Sequence, residues 1–225
     1  AATKTSTVMN LKKLALLGFF FSLICIHFSR SQEISSTQFG NGLLNIVGKD
    51  STWSMKVGAR IQLLSNLSWE GTGEKSFSNP EQNFLVRRAR LKFNGFAYSP
   101  KLKYKIELGL SNRDISGASI FTSNAPRYIL DAVVMWNFFQ NFELWFGQTK
   151  LPGNIERVIS SGDLQQVDRS LLNRRFNIDR DMDFQLRHHF SFGRKFLVRE
   201  KFAFSQGEGR NVTSGNFGGH QYTTR

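Results

Sequence analysis

Trp53-Ser54-Met55-Lys56-Val57-Gly58-Ala59-Arg60-Ile61-Gln62-Leu63 alternates apolar and polar side chains with a period of two. Trp53, Met55, Val57, Ala59, Ile61 and Leu63 share one face of an extended chain, which Leu67 continues. Lys56, Gly58, Arg60, Gln62 and, further on, Asn66 share the other. Neighbouring side chains of a strand point to opposite sides of its sheet, so this stretch reads as a β-strand with one greasy face and one basic face.

The same alternation returns along the chain. Ala89, Leu91 and Phe93 oppose Arg88, Arg90, Lys92 and Asn94, and Leu102, Tyr104, Ile106, Leu108 and Leu110 oppose Lys103, Lys105 and Glu107. Leu130, Ala132, Val134 and Trp136 oppose Asp131 and Asn137; Phe142, Leu144 and Phe146 oppose Glu143 and Trp145. Phe184, Leu186, Phe190 and Phe192 oppose Gln185, Arg187, His189 and Ser191. Last, Phe196, Val198, Phe202 and Phe204 oppose Arg199 and Lys201.

The breaks between these segments alternate in length. Tyr98-Ser99-Pro100-Lys101, Phe139-Gln140-Asn141 and Gly193-Arg194-Lys195 are tight turns. Long polar stretches at 68–83, 111–127, 148–182 and 206–221 separate them. Short turns at one end and long loops at the other are the threading of an antiparallel, all-β outer-membrane barrel. Aromatic residues gather beside the short turns (Phe93, Phe96 and Tyr98; Trp136, Phe138, Phe139 and Phe142; Phe190, Phe192 and Phe196), where a barrel carries an interfacial girdle.

The amino-terminal part agrees with export. Met9-Asn10-Leu11-Lys12-Lys13 is a basic start, 14–28 is an apolar run too short to span a bilayer, and Ser29-Arg30-Ser31 offers small residues for cleavage before Gln32. Residues 9–31 are therefore expected to be a helical signal peptide, 1–8 an upstream extension, and 32–225 the barrel domain. The single cysteine, Cys25, lies in the signal segment and follows Ile24 rather than a small residue, which argues against lipidation. The exported part then has no disulfide and no cysteine metal site.

The chain carries a formal charge of +13, and residues 1–31 hold four bases and no acids, which leaves +9 for the remainder. Such an excess points to an anionic partner, and its placement decides which one. Ten basic residues lie on the polar face: Lys56, Arg60, Arg88, Arg90, Lys92, Lys103, Lys105, Arg187, Arg199 and Lys201. Three acids, Glu107, Asp131 and Glu143, share it. The charge thus points into a lumen, where low-dielectric walls concentrate small anions. The barrel's other neighbours are outer-membrane lipid and lipopolysaccharide. Basic and aromatic residues lie on opposite faces, which excludes the stacking platform of a nucleic-acid binder. Three residues break the pattern: His188 and Glu200 fall on the apolar face, for which a β-bulge near 199–201 is expected, and Arg87 is expected to snorkel at the rim.

These segments resemble the phosphate-selective porins (the O/P porin family) in the form common among the Bacteroidota. The resemblance runs from about Phe39 to Asn211. It rests on Phe39-Gly40-Asn41-Gly42 with Lys49-Asp50, Gly58-Ala59-Arg60-Ile61-Gln62, Arg87-Arg88-Ala89-Arg90-Leu91 with Gly95, and Asp131-Ala132. Further on come Gly147-Gln148-Thr149-Lys150-Leu151-Pro152, Arg180-Asp181 and Gly207-Glu208-Gly209-Arg210-Asn211. It implies a barrel of about sixteen strands, a homotrimer, and a third extracellular loop folded inward as a constriction. It also implies passive passage of anions, with phosphate preferred by some members, past pore-lining arginines and lysines. The candidates in the constriction are Arg157, Arg169, Arg174 and Arg175, with Lys150 at its start. A short helix over 164–176 is expected there, capped by Ser161 or Asp163.

The chain holds seven or eight such strands, so it reads as the amino-terminal part of a longer barrel. The competing reading is a small eight-stranded barrel that anchors or adheres. Other chemistry finds no support. Adjacent His188 and His189 face opposite sides and cannot share a metal, and Gly207-x-Gly209 lacks the third glycine and helix of a nucleotide loop. Ser191 and His189 have no readable orienting partner, so no enzyme is expected and no cofactor is implied.

Overall fold

The computed structural model describes residues 43–71, 73, 77–115, 117–166, 168–176, 179–193, 195–214 and 218–225. All of them belong to the compact unit Ile34–Arg225. The expected upstream extension, signal peptide and Phe39–Gly42 motif lie outside the described residues.

Nine strands form one sheet, each antiparallel to the next in chain order: β1 Leu44–Val47, β2 Trp53–Gly71, β3 Phe77–Ala97, β4 Ser99–Gly109, β5 Ile129–Phe139, β6 Phe142–Lys150, β7 Arg180–Phe192, β8 Phe196–Ser205 and β9 Gln221–Thr224. The sequence predicts seven or eight; the addition is β1, four residues long and paired from Leu44 opposite Val57 to Val47 opposite Ser54. Four residues are too few for an alternation to be visible. Among the described residues the helical pieces are short: a 3-10 turn at Ile120–Thr122, α1 at Ile155–Val158 and α2 at Leu171–Arg175.

The two faces are as the alternation requires, and they are inverted relative to a water-soluble sheet. Outward Ile61 and Leu63 are 71% and 77% exposed, whereas Arg88 is 2% exposed and Asp131 and Gln185 are 0% exposed on the other face. Buried apolar residues among those described number only five, Ile46, Leu130, Val133, Leu151 and Ala203. A sheet that hides its charges and shows its aliphatic side chains is built for lipid outside and polar groups inside.

The short turns close at Tyr98, Gln140 and Gly193, whose φ values of 63°, 39° and 64° are left-handed. A further short turn at 48–52 joins β1 to β2, and the connections at 110–128, 151–179 and 206–220 are long. One expected loop is not a loop. Most of 68–83 is paired, because β2 and β3 run for 19 and 21 residues and pair from Leu63 opposite Val86 to Gly71 opposite Phe77, with one register shift between Ser68 and Glu70. Polar residues on both faces of this extension (Ser65, Asn66, Ser68, Glu81, Asn83) erase the alternation that marks a strand.

Bulges correct the remaining assignments. A register shift between Gln62 and Leu63 leaves Arg87 without a cross-strand partner, so it turns away from the rim and towards the polar side. A shift between Glu107 and Leu108 does the same to Leu130, which is buried rather than facing lipid. The bulge expected near 199–201 does not occur: β7 and β8 pair without interruption, and His188 lies opposite Glu200. The two satisfy each other on the outer face, with His188 Nδ1 3.2 Å from Glu200 Oε2. The His188 ring stacks on Phe142 at 4.0 Å and 15°. Mutual pairing within the aromatic girdle does what re-aiming would have done. Within β6 Gly147 has φ 132°, and a Cβ there would stand 2.2 Å from the Ala132 carbonyl oxygen, so only glycine fits.

Candidate functional site

The long connections fold over the polar face and are fixed to it by named contacts. Ser161 Oγ accepts from two wall arginines, Arg60 at 2.6 Å and Arg90 at 3.1 Å. Lys150 Nζ donates to the carbonyls of Val158 and Ile159 at 3.3 and 3.1 Å, and Arg169 donates to those of Glu156 and Ile159 at 3.1 and 2.7 Å. Asp168 pairs with Arg87 and Arg88, and Arg157 pairs with Asp179. The 206–220 connection lies on the same surface: Arg210 donates to the Asp114 carbonyl at 2.6 Å and Asn211 N to Gln148 Oε1 at 2.6 Å.

Of the helix expected at 164–176 only α2 at Leu171–Arg175 forms, and α1 at Ile155–Val158 lies before that range. Asn154 caps α1 by accepting from Glu156 N at 3.0 Å, and Ser170 caps α2 by accepting from Asn173 N at 3.1 Å. Ser161 is engaged by guanidiniums instead of capping a helix, and Asp168 is engaged by the wall, so helix begins only at Leu171.

Along the wall the charges alternate in one chain of contacts. Asp114 binds Arg90 at 2.6 Å, Arg90 reaches Glu107 at 3.1 Å, and Lys105 reaches the same Glu107 at 3.1 Å. Lys105 also pairs with Asp131, Asp131 accepts from Arg180 at 2.7 Å, and Arg180 meets Asp179 at 3.5 Å. Beside this chain lies a cavity of about 390 Å³. Its lining has eight basic side chains (Arg60, Arg90, Lys92, Lys105, Lys150, Arg180, Arg187 and Lys201) against two carboxylates, Glu107 and Asp131. Arg187 lies 3.3 Å over the Trp145 ring and donates to Gln185 Oε1 at 3.0 Å, which holds it in place.

The family model for phosphate-selective porin O and P matches residues 56–224, from within β2 to the last residue of β9. This chain belongs to the phosphate-selective porin O and P family. A comparison with curated proteins finds no match. The family is one of outer-membrane porins, and the sheet of this porin, with its exposed aliphatic face, is the antiparallel all-β architecture that such a protein requires.

The sequence-derived basic residues of this porin divide by position. Arg60, Arg90, Lys92, Lys105, Arg187 and Lys201 share the cavity just described, with Lys150. Arg88, Arg157 and Arg169 line a second cavity of about 430 Å³ nearer the long-loop end. Lys56, Lys103 and Arg199 line neither of these two; Lys56 is opposite Asn94, Lys103 opposite Phe96 and Arg199 opposite His189. Arg175 is exposed, and the Arg174 side chain lies outside the described residues.

The acids of the site divide into wall and loop residues. Asp181 and Asp183 simply continue the inward parity of Gln185 and Arg187, so extending the alternation backwards along β7 finds them. Asp114, Asp168 and Asp179 lie in long connections, and no periodicity says which loop residues fold back onto a wall. These loop carboxylates are held ionised. Burial alone would raise Asp114, Asp168 and Asp179, but hydrogen bonds and charge from Arg90, Arg87 and Arg157 respectively outweigh it and lower all three. A lowered carboxylate contributes stability above its unfolded value and loses it as pH falls through the folded value, so these tethers hold through mildly acidic pH. Arg169 moves to about 10 because burial, and then Arg157 and Arg88, disfavour its charge; it remains a cation at neutral pH.

Proposed function

We propose that this porin lets small anions diffuse passively across the outer membrane along its Arg- and Lys-lined face, with the 151–179 connection as the constriction. The observation that carries this reading is the 390 Å³ cavity, whose lining sets eight bases against two acids. Among the described residues, Lys92 and Lys201 make no ion pair, so their charge is available to a solute. Anions shed part of their hydration for N–H donors at fixed positions, and the apolar wall behind strengthens that attraction. Passage needs many moderate contacts rather than one tight one, and a row of lysines and arginines supplies them.

The sharper form of the reading is a preference for phosphate. The hydroxyls of Ser160 and Ser161 line the same cavity as the basic side chains, a donor set that suits a multivalent oxyanion better than chloride. Export through a signal peptide at 9–31, contact with lipid and lipopolysaccharide, and assembly as a homotrimer complete the proposal.

A planar bilayer holding the full-length protein under a KCl gradient tests it. The expected reversal potential has the chloride-favouring sign; a cation-favouring sign refutes the anion pathway. Added inorganic phosphate is expected to block the chloride current, and an unaffected current removes the phosphate preference while leaving the anion pathway standing.

A further inference from the structure

The second cavity contains a feature that general anion attraction does not require. Neighbouring residues on a regular strand face opposite sides, yet the bulge opposite Gln62 and Leu63 turns Arg87 and Arg88 to the same carboxylate. Arg87 Nε lies 3.3 Å from Asp168 Oδ2 while Arg87 Nη2 pairs with Oδ1, and Arg88 Nη2 lies 3.0 Å from that same Oδ1. One guanidinium thus grips the planar carboxylate with both arms, and a second caps one oxygen. The arginines are 17% and 3% exposed and the aspartate 51%: the receptor is fixed in the wall and its occupant sits on a loop open to solvent. Asn173 lines the same cavity, and its buried side-chain nitrogen has no hydrogen-bond partner among the described residues. A buried donor left without an acceptor is costly unless something else supplies one.

We propose that Arg87 and Arg88 form a carboxylate seat that Asp168 fills at rest and that carboxylate-bearing solutes take over in transit. The inference rests on the anion-pathway reading and adds a solute class to it. A dicarboxylate is the best fit: one carboxylate replaces that of Asp168, and the second brings acceptors to the cavity that holds Asn173. Asp168 is then an internal competitor. It sets how much solute is needed to occupy the seat, and it cancels one of the seat's two positive charges when no solute is present. The exchange forms and breaks only ion pairs and hydrogen bonds.

The test uses full-length protein in planar bilayers, with chloride current measured against added succinate. In wild type, succinate is expected to block with a half-blocking concentration that Asp168→Asn lowers about tenfold, the size of losing one charge-assisted competitor. Arg87→Gln in the Asp168→Asn background is expected to cancel that gain. An unchanged half-block in Asp168→Asn would overturn the seat. So would a weaker block with a raised conductance in saturating KCl, since Asp168 would then be only a tether for the loop. A chloride-favouring reversal potential with an unmoved half-block sinks the seat alone, whereas a cation-favouring potential in wild type sinks the anion pathway and the seat with it.

Discussion

Asp131→Asn is expected to destabilise the folded protein by about 3–5 kcal/mol, the cost of removing one partner from a buried ion pair. Asp131 is fully buried and receives Arg180 on one oxygen and Lys105 on the other. Arg180 is itself 4% exposed, so it cannot turn to water when its counter-charge disappears. Asparagine has the same shape and can still accept a hydrogen bond, but it leaves two cations facing one another across a neutral amide. The contact chain from Asp114 to Asp179 would be cut in the middle. Urea unfolding of the purified protein in detergent, followed by tryptophan fluorescence, reads the effect as a lowered midpoint. Glu70→Gln serves as the reference, because Glu70's side-chain hydrogen bond among the described residues is the exposed one from Asn79, and the change should alter stability by less than about 0.5 kcal/mol. Equal midpoints for the two variants would show that the Asp131 network does not hold the wall together.

The second large effect concerns selectivity. Lys92 on β3 and Lys201 on β8 line the basic cavity without forming ion pairs among the described residues. Lys92→Glu with Lys201→Glu takes the cavity lining from six net positive charges to two. The chloride-to-potassium permeability ratio is expected to fall about tenfold at low salt, because the local concentration of anions depends exponentially on the potential of the cavity. The loss should shrink as ionic strength rises and the Debye length falls below the cavity dimensions. A ratio that does not move would mean that ions take a path avoiding this cavity.

The parts of this protein that could be read from sequence are those where a periodicity acts. The faces of β2 through β8 follow from alternation alone, and so does the inward direction of Arg60, Arg90, Lys92 and Lys105. The failures lie where the period is broken or absent. A one-residue bulge reverses a side chain, and nothing local in Arg87-Arg88 or Leu130-Asp131 announces it. The β2–β3 extension is held by backbone pairing with polar residues on both sides, so it looks like a loop. The loop carboxylates Asp114 and Asp168 are brought to the wall by tertiary folding across tens of residues, whereas Asp179 directly precedes β7 and pairs with Arg157 of the loop. Counting only wall residues therefore overstates the free charge: among the described residues three of the ten polar-face cations, Arg88, Arg90 and Lys105, already have carboxylate partners. Alternation puts His188 and Glu200 on the outer face, and a charge there need not turn inward when it is paired across the strands.

The whole account depends on which side of the sheet is wet. Single cysteines placed at Lys92 and at Ile106, in a Cys25→Ser background, can be exposed to a negatively charged, membrane-impermeant thiol reagent while current is recorded. Lys92→Cys should react and its current should fall, and Ile106→Cys should remain unmodified with its current intact. Rapid modification at 106 together with protection at 92 would place the aliphatic face in water and the basic face against lipid, and the proposed pathway could not exist.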